Sequence, residues 1–206
     1  MTPIETIMRT APVIPVLVID NPDYAVPVAR ALVAGGLRVL EVTLRTPAAL
    51  AVIRAMRDVP GAIVGAGTVL NPDDLHAAID AGAEFIVSPG LTQRLGAAAV
   101  AADIPFLPGT ANAADIMTGL DLGLTHFKFF PAETSGGLPA LKALAAPFHQ
   151  VWFCPTGGIN QRSAADWLAF DPVLCVGGSW LVGKGPPDEA AITAAAQAAV
   201  ALRRPG

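Results

Sequence analysis

Charged residues are scarce in this chain of 206 residues: Asp, Glu, Lys and Arg make up 15% of it, against about 25% in ordinary globular proteins. Hydrophobic residues make up 53%, which is the opposite of a disordered composition. A mean hydropathy of +0.54 raises the question of a membrane span. The longest stretch without charge, the 19 residues Ala143–Gln161, contains two prolines and two glycines, so it cannot cross a bilayer as a helix. We predict a soluble protein with a large core and no membrane partner.

Basic residues are also sparse, since 13 Lys and Arg against 17 Asp and Glu leave a net charge of −4. No cluster is larger than the pair Arg203-Arg204, so the sequence indicates no nucleic-acid surface. The apolar run Ala11–Ile19 contains two prolines, and Glu5 lies where a secretion signal would carry basic residues. We interpret this run as the first strand, and we expect a cytoplasmic location.

Residues that bind metals or form disulfides are few. Cys154 and Cys175 are the only cysteines and lie in apolar runs, so we expect two buried free thiols; a disulfide is the less favoured alternative. The histidines are His76, His126 and His149, without the paired spacing of a metal site. We predict no metal and no other cofactor, and a core role for His126.

Short apolar runs recur at intervals of 20 to 26 residues, separated by amphipathic, Ala- and Leu-rich stretches. The runs are Pro12–Val18, Arg38–Leu44, Ala62–Ala66, Glu84–Val87, Ile104–Leu107, Thr125–Phe129, Val151–Pro155 and Val173–Val176. Strands that alternate with single helices pair in parallel through right-handed crossovers. Eight such units favour closure into a (β/α)8 TIM barrel over the alternative, an open doubly wound sheet.

The boundaries of this α/β fold follow from local signals. Asn71-Pro72 is typical of a helix start, and Asn21-Pro22 and Thr46-Pro47 repeat its pattern. No linker or change in composition divides the chain, so we predict one compact barrel domain over residues 1–206. A short N-terminal helix is expected in Pro3–Thr10, and the last helix is expected over Pro186–Arg204.

Polar residues alternate with apolar residues in the segment Arg38–Arg45. Because side chains alternate along a strand, one face carries Leu40, Val42 and Leu44, and the other carries Glu41, Thr43 and Arg45. A barrel strand packs its apolar face on helices, so the polar face points into the barrel and toward its carboxyl end, where active sites of this fold lie. The alternative is a structural Glu–Arg pair, which is less favoured because buried charges are costly.

Lysine is also scarce, and of the three lysines only Lys128 lies within an apolar run, between Phe127 and Phe129. Alternation turns the two phenylalanines outward and Lys128 inward. Loss of water around an amine disfavours its charged form, and the neutral amine is the nucleophile. A structural lysine is the alternative, but lysines are rarely buried without a function. We therefore predict that Lys128 is catalytic.

Paired glycines follow the seventh and eighth apolar runs, in Pro155-Thr-Gly-Gly-Ile159 and Gly177-Gly-Ser-Trp180. In (β/α)8 enzymes the loops after these two strands frequently bind phosphate through backbone N–H groups. Tight turns without a ligand are the alternative. The two pairs together favour a phosphate site.

An interior lysine and glutamate, a neighbouring arginine and a phosphate site describe an aldolase that works through a Schiff base. At this point the chain closely resembles the family of 2-keto-3-deoxy-6-phosphogluconate (KDPG) and 4-hydroxy-2-oxoglutarate aldolases. Six motifs in order carry the resemblance: Glu41–Thr46, Gly65–Asn71, Ser88–Gly90, Phe127–Glu133, Cys154–Ile159 and Gly177–Trp180. The sequence departs from the family pattern at Thr134-Ser135 and in its brief tail after Trp180, outside the motifs.

The resemblance implies a role for each matching residue. Lys128 would form the Schiff base and Glu41 would transfer protons, while Arg45 and Thr68 would hold the substrate carboxylate. The distal phosphate would be held by Gly157, Gly158, Gly178 and Ser179, and Thr156 would select the configuration at C4. The resemblance also implies a phosphorylated 2-keto acid substrate, no metal and a homotrimer. Two other functions stay open: a phosphosugar isomerase or epimerase, and a barrel that binds phosphometabolites without catalysis.

Overall fold

Parallel strands alternate with helices along the whole computed structural model, which describes residues 1–202. The strands are β1 (Val13–Leu17), β2 (Val39–Thr43), β3 (Ile63–Gly67), β4 (Phe85–Val87), β5 (Phe106–Leu107), β6 (Gly109–Thr110), β7 (His126–Phe129), β8 (Trp152–Pro155) and β9 (Val176–Gly178). Seven of the eight apolar runs therefore contain strands in the predicted order. The eighth run, Val173–Val176, overlaps its strand at Val176 alone, because β9 begins there and continues into Gly177 and Gly178.

The strands close into the predicted (β/α)8 barrel. Six of them pair in the order β5-β4-β3-β2-β1-β9, and β6, β7 and β8 form the remaining wall. Parallel bridges from Phe153 to Val173 and from Thr156 to Gly177 join β8 to the β9 side. Strands β5 and β6 are two halves of one barrel strand, interrupted at Pro108, which has no N–H to donate to a ladder. Nine short strands thus fill eight barrel positions.

Helices alternate with the strands along the chain; the first precedes β1, the last follows β9, and the others connect strands on the outside of the barrel. They are α1 (Pro3–Arg9), α2 (Ala25–Ala34), α3 (Ala49–Arg57), α4 (Pro72–Asp80), α5 (Gln93–Ala101), α6 (Ala113–Asp121), α7 (Gly137–Ala145), α8 (Ala164–Leu168) and α9 (Glu189–Val200). A 3₁₀ turn, Pro22–Tyr24, precedes α2. The short N-terminal helix that the sequence predicts is α1.

Two of the three predicted helix starts are confirmed. Asn71 accepts a hydrogen bond from the backbone N–H of Asp74 and caps α4, and Asn21 caps the 3₁₀ turn before α2. The prediction at Thr46-Pro47 was wrong, because α3 begins at Ala49 without a side-chain cap. The hydroxyl of Thr46 instead donates to the carbonyl oxygen of Ile19 at 2.7 Å.

The last helix is shorter than its predicted range of Pro186–Arg204. It begins at Glu189, because the side chain of Asp188 accepts from the N–H of Ala191 and forms the N-cap. The helix ends at Val200. Arg203 and Arg204 lie outside the described residues.

Alternation along the strands divides the apolar residues into two layers. Leu40, Val42, Phe127 and Phe129 are buried between the strands and the outer helices, as predicted. Inside the barrel, Ile4, Ile7 and Met8 of α1 pack with residues that include Ile14, Phe85 and Cys175. Helix α1 therefore closes the amino-terminal end of the barrel. No helix among residues 1–202 combines the length and apolar character that crossing a membrane requires.

Candidate active site

A cavity of about 250 Å³ opens at the carboxyl ends of the strands. Eight of the nine residues that the sequence predicts for the site line it: Glu41, Arg45, Thr68, Lys128, Thr156, Gly157, Gly158 and Ser179. The ninth, Gly178, is buried next to them at the end of β9. The fold therefore brings residues from five separate loops and strands to one end of the barrel.

A buried ion pair forms the floor of the cavity. The amine Nζ of Lys128 donates to the carboxylate Oε1 of Glu41 at 3.0 Å, and the two residues are 5% and 3% exposed. Two charges removed from water are tolerated only when each compensates the other at short distance. Gly67 on β3 makes room for this arrangement, since a Cβ at that position would collide with the carboxylate of Glu41. Glycine is therefore required beside the pair.

An arginine anchored to a threonine lies at the edge of the cavity. The Nε–H of the exposed Arg45 donates to the hydroxyl oxygen of Thr43 at 3.2 Å. The hydroxyl of Thr43, which is buried, donates in turn to the carbonyl oxygen of Leu17 at 2.8 Å. Thr68 lines the same cavity with a φ of +60°, a left-handed conformation that is strained for a β-branched residue. Such strain is concentrated at functional sites.

The loop after β8 depends on glycine for its shape. Gly157 and Gly158 have φ of +105° and +82°, the region that favours residues without a Cβ. A Cβ on Gly158 would lie 2.6 Å from Cγ of Glu133. The sequence predicts phosphate binding for this loop, and both glycines line the cavity in a conformation that other residues rarely adopt.

The end of β9 and the residue after it form the second wall of this end of the cavity. Ser179 is exposed and lines it, and so does Gly177, where a Cβ would collide with the side chain of Thr156. Gly178 packs against the indole of Trp180, which a Cβ there would strike. The sequence predicts that both glycines follow the last strand, but the structure places them within β9; Gly177 lines the cavity and Gly178 lies behind it.

Six lining residues have no role predicted from the sequence: Val16, Thr43, Pro89, Phe130, Ile159 and Gly177. Phe130 lies with its ring centroid 5.3 Å from Nζ of Lys128, a distance at which a cation is attracted to an aromatic face. Pro89 and Phe130 lie within motifs that the sequence analysis singles out. Ile159 and Gly177 lie within such motifs too, and Thr43 is predicted to face the barrel interior. Val16 has no signal in the sequence, because an apolar residue at a strand end resembles any core residue.

The remaining histidine and cysteine predictions concern the barrel interior. His126 is buried at the amino-terminal end, and its Nδ1 shares a hydrogen bond of 3.1 Å with the hydroxyl of Thr125. Burial lowers the pKa of His126, which keeps the imidazole neutral. Cys154 and Cys175 are free and buried, and burial raises the pKa of the Cys175 thiol well above its ordinary value. These residues have the structural environments that the sequence predicts.

Metal-binding side chains do not cluster in the part of the chain that the structure describes: residues 1–202 contain no group of three or more His, Cys, Asp or Glu arranged to hold an ion. The chemistry that the cavity offers is that of an amine beside a carboxylate. An amine that attacks a carbonyl carbon forms an imine, and a neighbouring carboxylate can carry the protons that this requires. The fold and the site together define a (β/α)8-barrel enzyme of the Schiff-base class.

The chain belongs to the KDPG and KHG aldolase family, whose model matches residues 4–195. The 2-dehydro-3-deoxy-phosphogluconate aldolase of Zymomonas mobilis is 62% identical over 99% of this chain and 98% of that protein. The KHG/KDPG aldolase of Escherichia coli is 57% identical over 88% of this chain and 85% of that protein.

Solved structures agree with this assignment. The 2-keto-3-deoxy-6-phosphogluconate aldolase of Z. mobilis, solved with 3-phosphoglycerate, matches with a TM-score of 0.97 at 62% identity, over 98% of this chain and 97% of that chain. The KDPG aldolase of Legionella pneumophila, solved with pyruvate captured as a covalent carbinolamine intermediate, matches with a TM-score of 0.93 at 44% identity, over 97% of this chain and 98% of that chain. The prediction of the family from six motifs is confirmed.

Proposed function

We propose that this chain is a class I aldolase that cleaves KDPG to pyruvate and glyceraldehyde 3-phosphate. The observation that carries the proposal is the buried contact of 3.0 Å between Lys128 and Glu41 at the floor of the cavity. The same site would cleave 4-hydroxy-2-oxoglutarate to pyruvate and glyoxylate, since both substrates share a 2-keto acid with a hydroxyl at C4. Proteins of both kinds are among the relatives of this chain.

The proposed reaction begins at the C2 ketone. Nζ of Lys128 attacks C2, water leaves, and the protonated imine that results withdraws electrons from the C3–C4 bond. Glu41 takes the proton of the C4 hydroxyl, so that the bond breaks, the aldehyde leaves and C3 remains as an enamine. Protonation of C3 and hydrolysis of the imine release pyruvate and restore the amine. No further reactant is needed apart from the water that hydrolyses the imine.

Binding at the two ends of the substrate positions it for this reaction. Arg45 and Thr68 hold the carboxylate next to C2, which keeps the ketone within reach of Lys128. The distal phosphate binds to Gly157, Gly158, Gly178 and Ser179 at the other side of the cavity. Thr156 lies between these groups and contacts the C4 hydroxyl. Its side chain is buried, and its nearest polar contact in the structure is the carbonyl oxygen of Cys154 at 3.5 Å.

The assembly and the location of the protein are also proposals. We propose a cytoplasmic homotrimer, on the basis of the family resemblance. Light scattering should then give a mass of about 63 kDa, three times the 21.0 kDa of the chain. A mass equal to that of one chain would contradict the trimer and leave the chemistry of each barrel unaffected.

Pyruvate release from KDPG tests the proposed function against its two alternatives. We expect release by the wild-type protein and its loss in Lys128→Met, which keeps the length of the side chain and removes the amine. A phosphosugar isomerase would convert the substrate without releasing pyruvate, and a binding protein would bind it without turnover. Neither alternative is favoured, because neither explains why Lys128 is buried against Glu41.

A further inference from the structure

Two threonine hydroxyls at or after the end of β2 form the same kind of hydrogen bond, each to a backbone carbonyl oxygen at or after the end of β1. Thr43 donates to the carbonyl oxygen of Leu17 at 2.8 Å, and Thr46 donates to the carbonyl oxygen of Ile19 at 2.7 Å. The two contacts differ in one respect. The hydroxyl oxygen of Thr43 also accepts a hydrogen bond from Nε of Arg45, at 3.2 Å.

Arg45 needs a partner to occupy one position. Its side chain is exposed at the edge of the cavity, and an arginine side chain has many rotamers of similar energy in water. Within residues 1–202, the structure gives the side chain of Arg45 one hydrogen bond, which is the bond to Thr43. The direction of the guanidinium group therefore depends on this one contact.

The donor and acceptor roles at Thr43 are determined by the backbone. A threonine hydroxyl has one proton and two lone pairs. Because the proton is given to the carbonyl oxygen of Leu17, the lone pairs are left to accept, and an arginine can only donate. We infer that Thr43 is a positioning residue that holds Arg45 by Nε and leaves its two terminal Nη groups as a fork for the substrate carboxylate.

This inference rests on the proposed function, in which Arg45 binds the carboxylate of the 2-keto acid. A carboxylate binds two parallel N–H groups of a guanidinium best when the fork is already oriented. Loss of the Thr43 hydroxyl frees Nε and lets the guanidinium group turn into solvent. The consequence is weaker binding of every substrate that carries the carboxylate, with or without a phosphate, and a smaller change in kcat.

Thr43→Val tests the inference, because valine keeps the shape and removes the hydroxyl. We expect KM to rise about tenfold for both KDPG and 4-hydroxy-2-oxoglutarate. A rise of this size corresponds to the loss of one hydrogen bond to a charged group. Thr43→Ser keeps the hydroxyl and should restore KM. Thr46→Val is the matched control, since it removes the equivalent contact to Ile19 and should leave KM unchanged. Equal KM values in Thr43→Val and Thr46→Val would overturn the inference.

A double-mutant cycle separates positioning from direct contact, since Thr43 itself lines the cavity. In an Arg45→Ala background, Thr43→Val should cause no further rise in KM. A further tenfold rise there would mean that Thr43 contacts the substrate, and the inference would be wrong. If Thr43→Val does not fold, Thr43→Ala takes its place in the same cycle.

Failure of the proposed function can be distinguished from failure of the inference about Thr43. A wild-type protein that releases no pyruvate from KDPG contradicts that function. The positioning role is then judged by the affinity for pyruvate in calorimetry, which needs no turnover. Wild-type affinity in Thr43→Val would overturn the inference, and a tenfold loss that Thr43→Ser restores would support it.

Discussion

At the scale of single residues, the site depends on a few side chains whose chemistry is set by burial. Glu41 lies within hydrogen-bond distance of the amine of Lys128, and the burial of both residues excludes most water from the contact. A carboxylate in this position is close enough to exchange protons with the amine and with a substrate bound to it. Replacement of this one carboxylate therefore tests the proposed role of Glu41 as the proton carrier.

Glu41→Gln removes the proton carrier and keeps the size of the side chain. We expect kcat to fall by about 10²–10⁴-fold, the usual contribution of a positioned acid or base. Glu189→Gln, at the start of α9 and outside the cavity lining, is the control and should keep the wild-type rate. Steady-state rates on KDPG measure the effect. A near-normal kcat in Glu41→Gln would reduce Glu41 to a structural partner of Lys128.

Thr156 is the proposed determinant of stereochemistry at C4. With the carboxylate and the phosphate both held, inversion of C4 moves the hydroxyl away from Thr156 and leaves polar groups unpaired, at a cost of about 1–3 kcal/mol. Thr156→Val should therefore narrow the preference for KDPG over its C4 epimer, the galactonate-derived substrate, and Thr156→Ser should retain it. The ratio of kcat/KM values for the two epimers is the measurement. An unchanged ratio in Thr156→Val would assign the discrimination to another residue.

At the scale of helices and strands, alternation predicted which residues face the cavity. The interior positions of Glu41 and Lys128 follow from a period of two along β2 and β7, and both are confirmed in the described structure. The interruption at Pro108 also has a local cause, the missing N–H of proline. Local signals of this kind are readable in the sequence because they depend on neighbouring residues alone.

Other features depend on contacts between distant elements and could not be predicted. Thr46 resembles a helix cap, but its hydroxyl donates to Ile19 on the preceding loop. Gly177 lies in a glycine pair that the sequence assigns to the phosphate site, but its close contact with the side chain of Thr156 cannot be inferred from its neighbours in the chain. Val16 joins the lining because β1 ends beside β2 and β9. In each case the cause is a neighbour far away in the chain.

The proposed phosphate contact of Ser179, in the loop after β9, can be tested by one substitution. Ser179 lines the cavity and is proposed to bind the distal phosphate, so Ser179→Ala should affect phosphorylated substrates alone. We expect a loss of about 1.5–3 kcal/mol in kcat/KM for KDPG, the value of one hydrogen bond to a charged group. The rate on 4-hydroxy-2-oxoglutarate, which has no phosphate, is the internal control. Equal losses on the two substrates would contradict a phosphate site in this loop.

At the scale of the whole molecule, the pH dependence of stability involves the contact between helix α1 and the buried His126 of β7. Glu5 of α1 forms an ion pair with Arg9 at 2.8 Å, and its second carboxylate oxygen lies 3.9 Å from Nε2 of His126. Burial nevertheless lowers the pKa of His126 below its ordinary value of 6.5. The nearby carboxylate opposes this change without outweighing the loss of water around the imidazole.

The sign of the pH dependence follows from the lowered pKa. As the pH falls through about 6.5, the unfolded chain takes up a proton at His126 that the folded barrel does not, so the free energy of unfolding decreases. The contribution of His126 to the free energy of unfolding is fully present above about pH 6.5. It is lost as the pH falls toward the lowered pKa of His126 in the folded barrel. We expect His126→Gln to lose less stability than the wild type between about pH 7.5 and 5.5, as measured by urea unfolding. An identical loss in both proteins would assign the pH dependence to other groups.

Borohydride reduction in the presence of pyruvate traps the imine that Lys128 is proposed to form with the substrate. We expect one reduced pyruvoyl group per chain, located on Lys128 by peptide mass spectrometry and absent from Lys128→Met. Lys142 and Lys184 are internal controls, since neither lines the cavity. A pyruvoyl group on either of these lysines, or no covalent adduct at all, would contradict the Schiff-base mechanism.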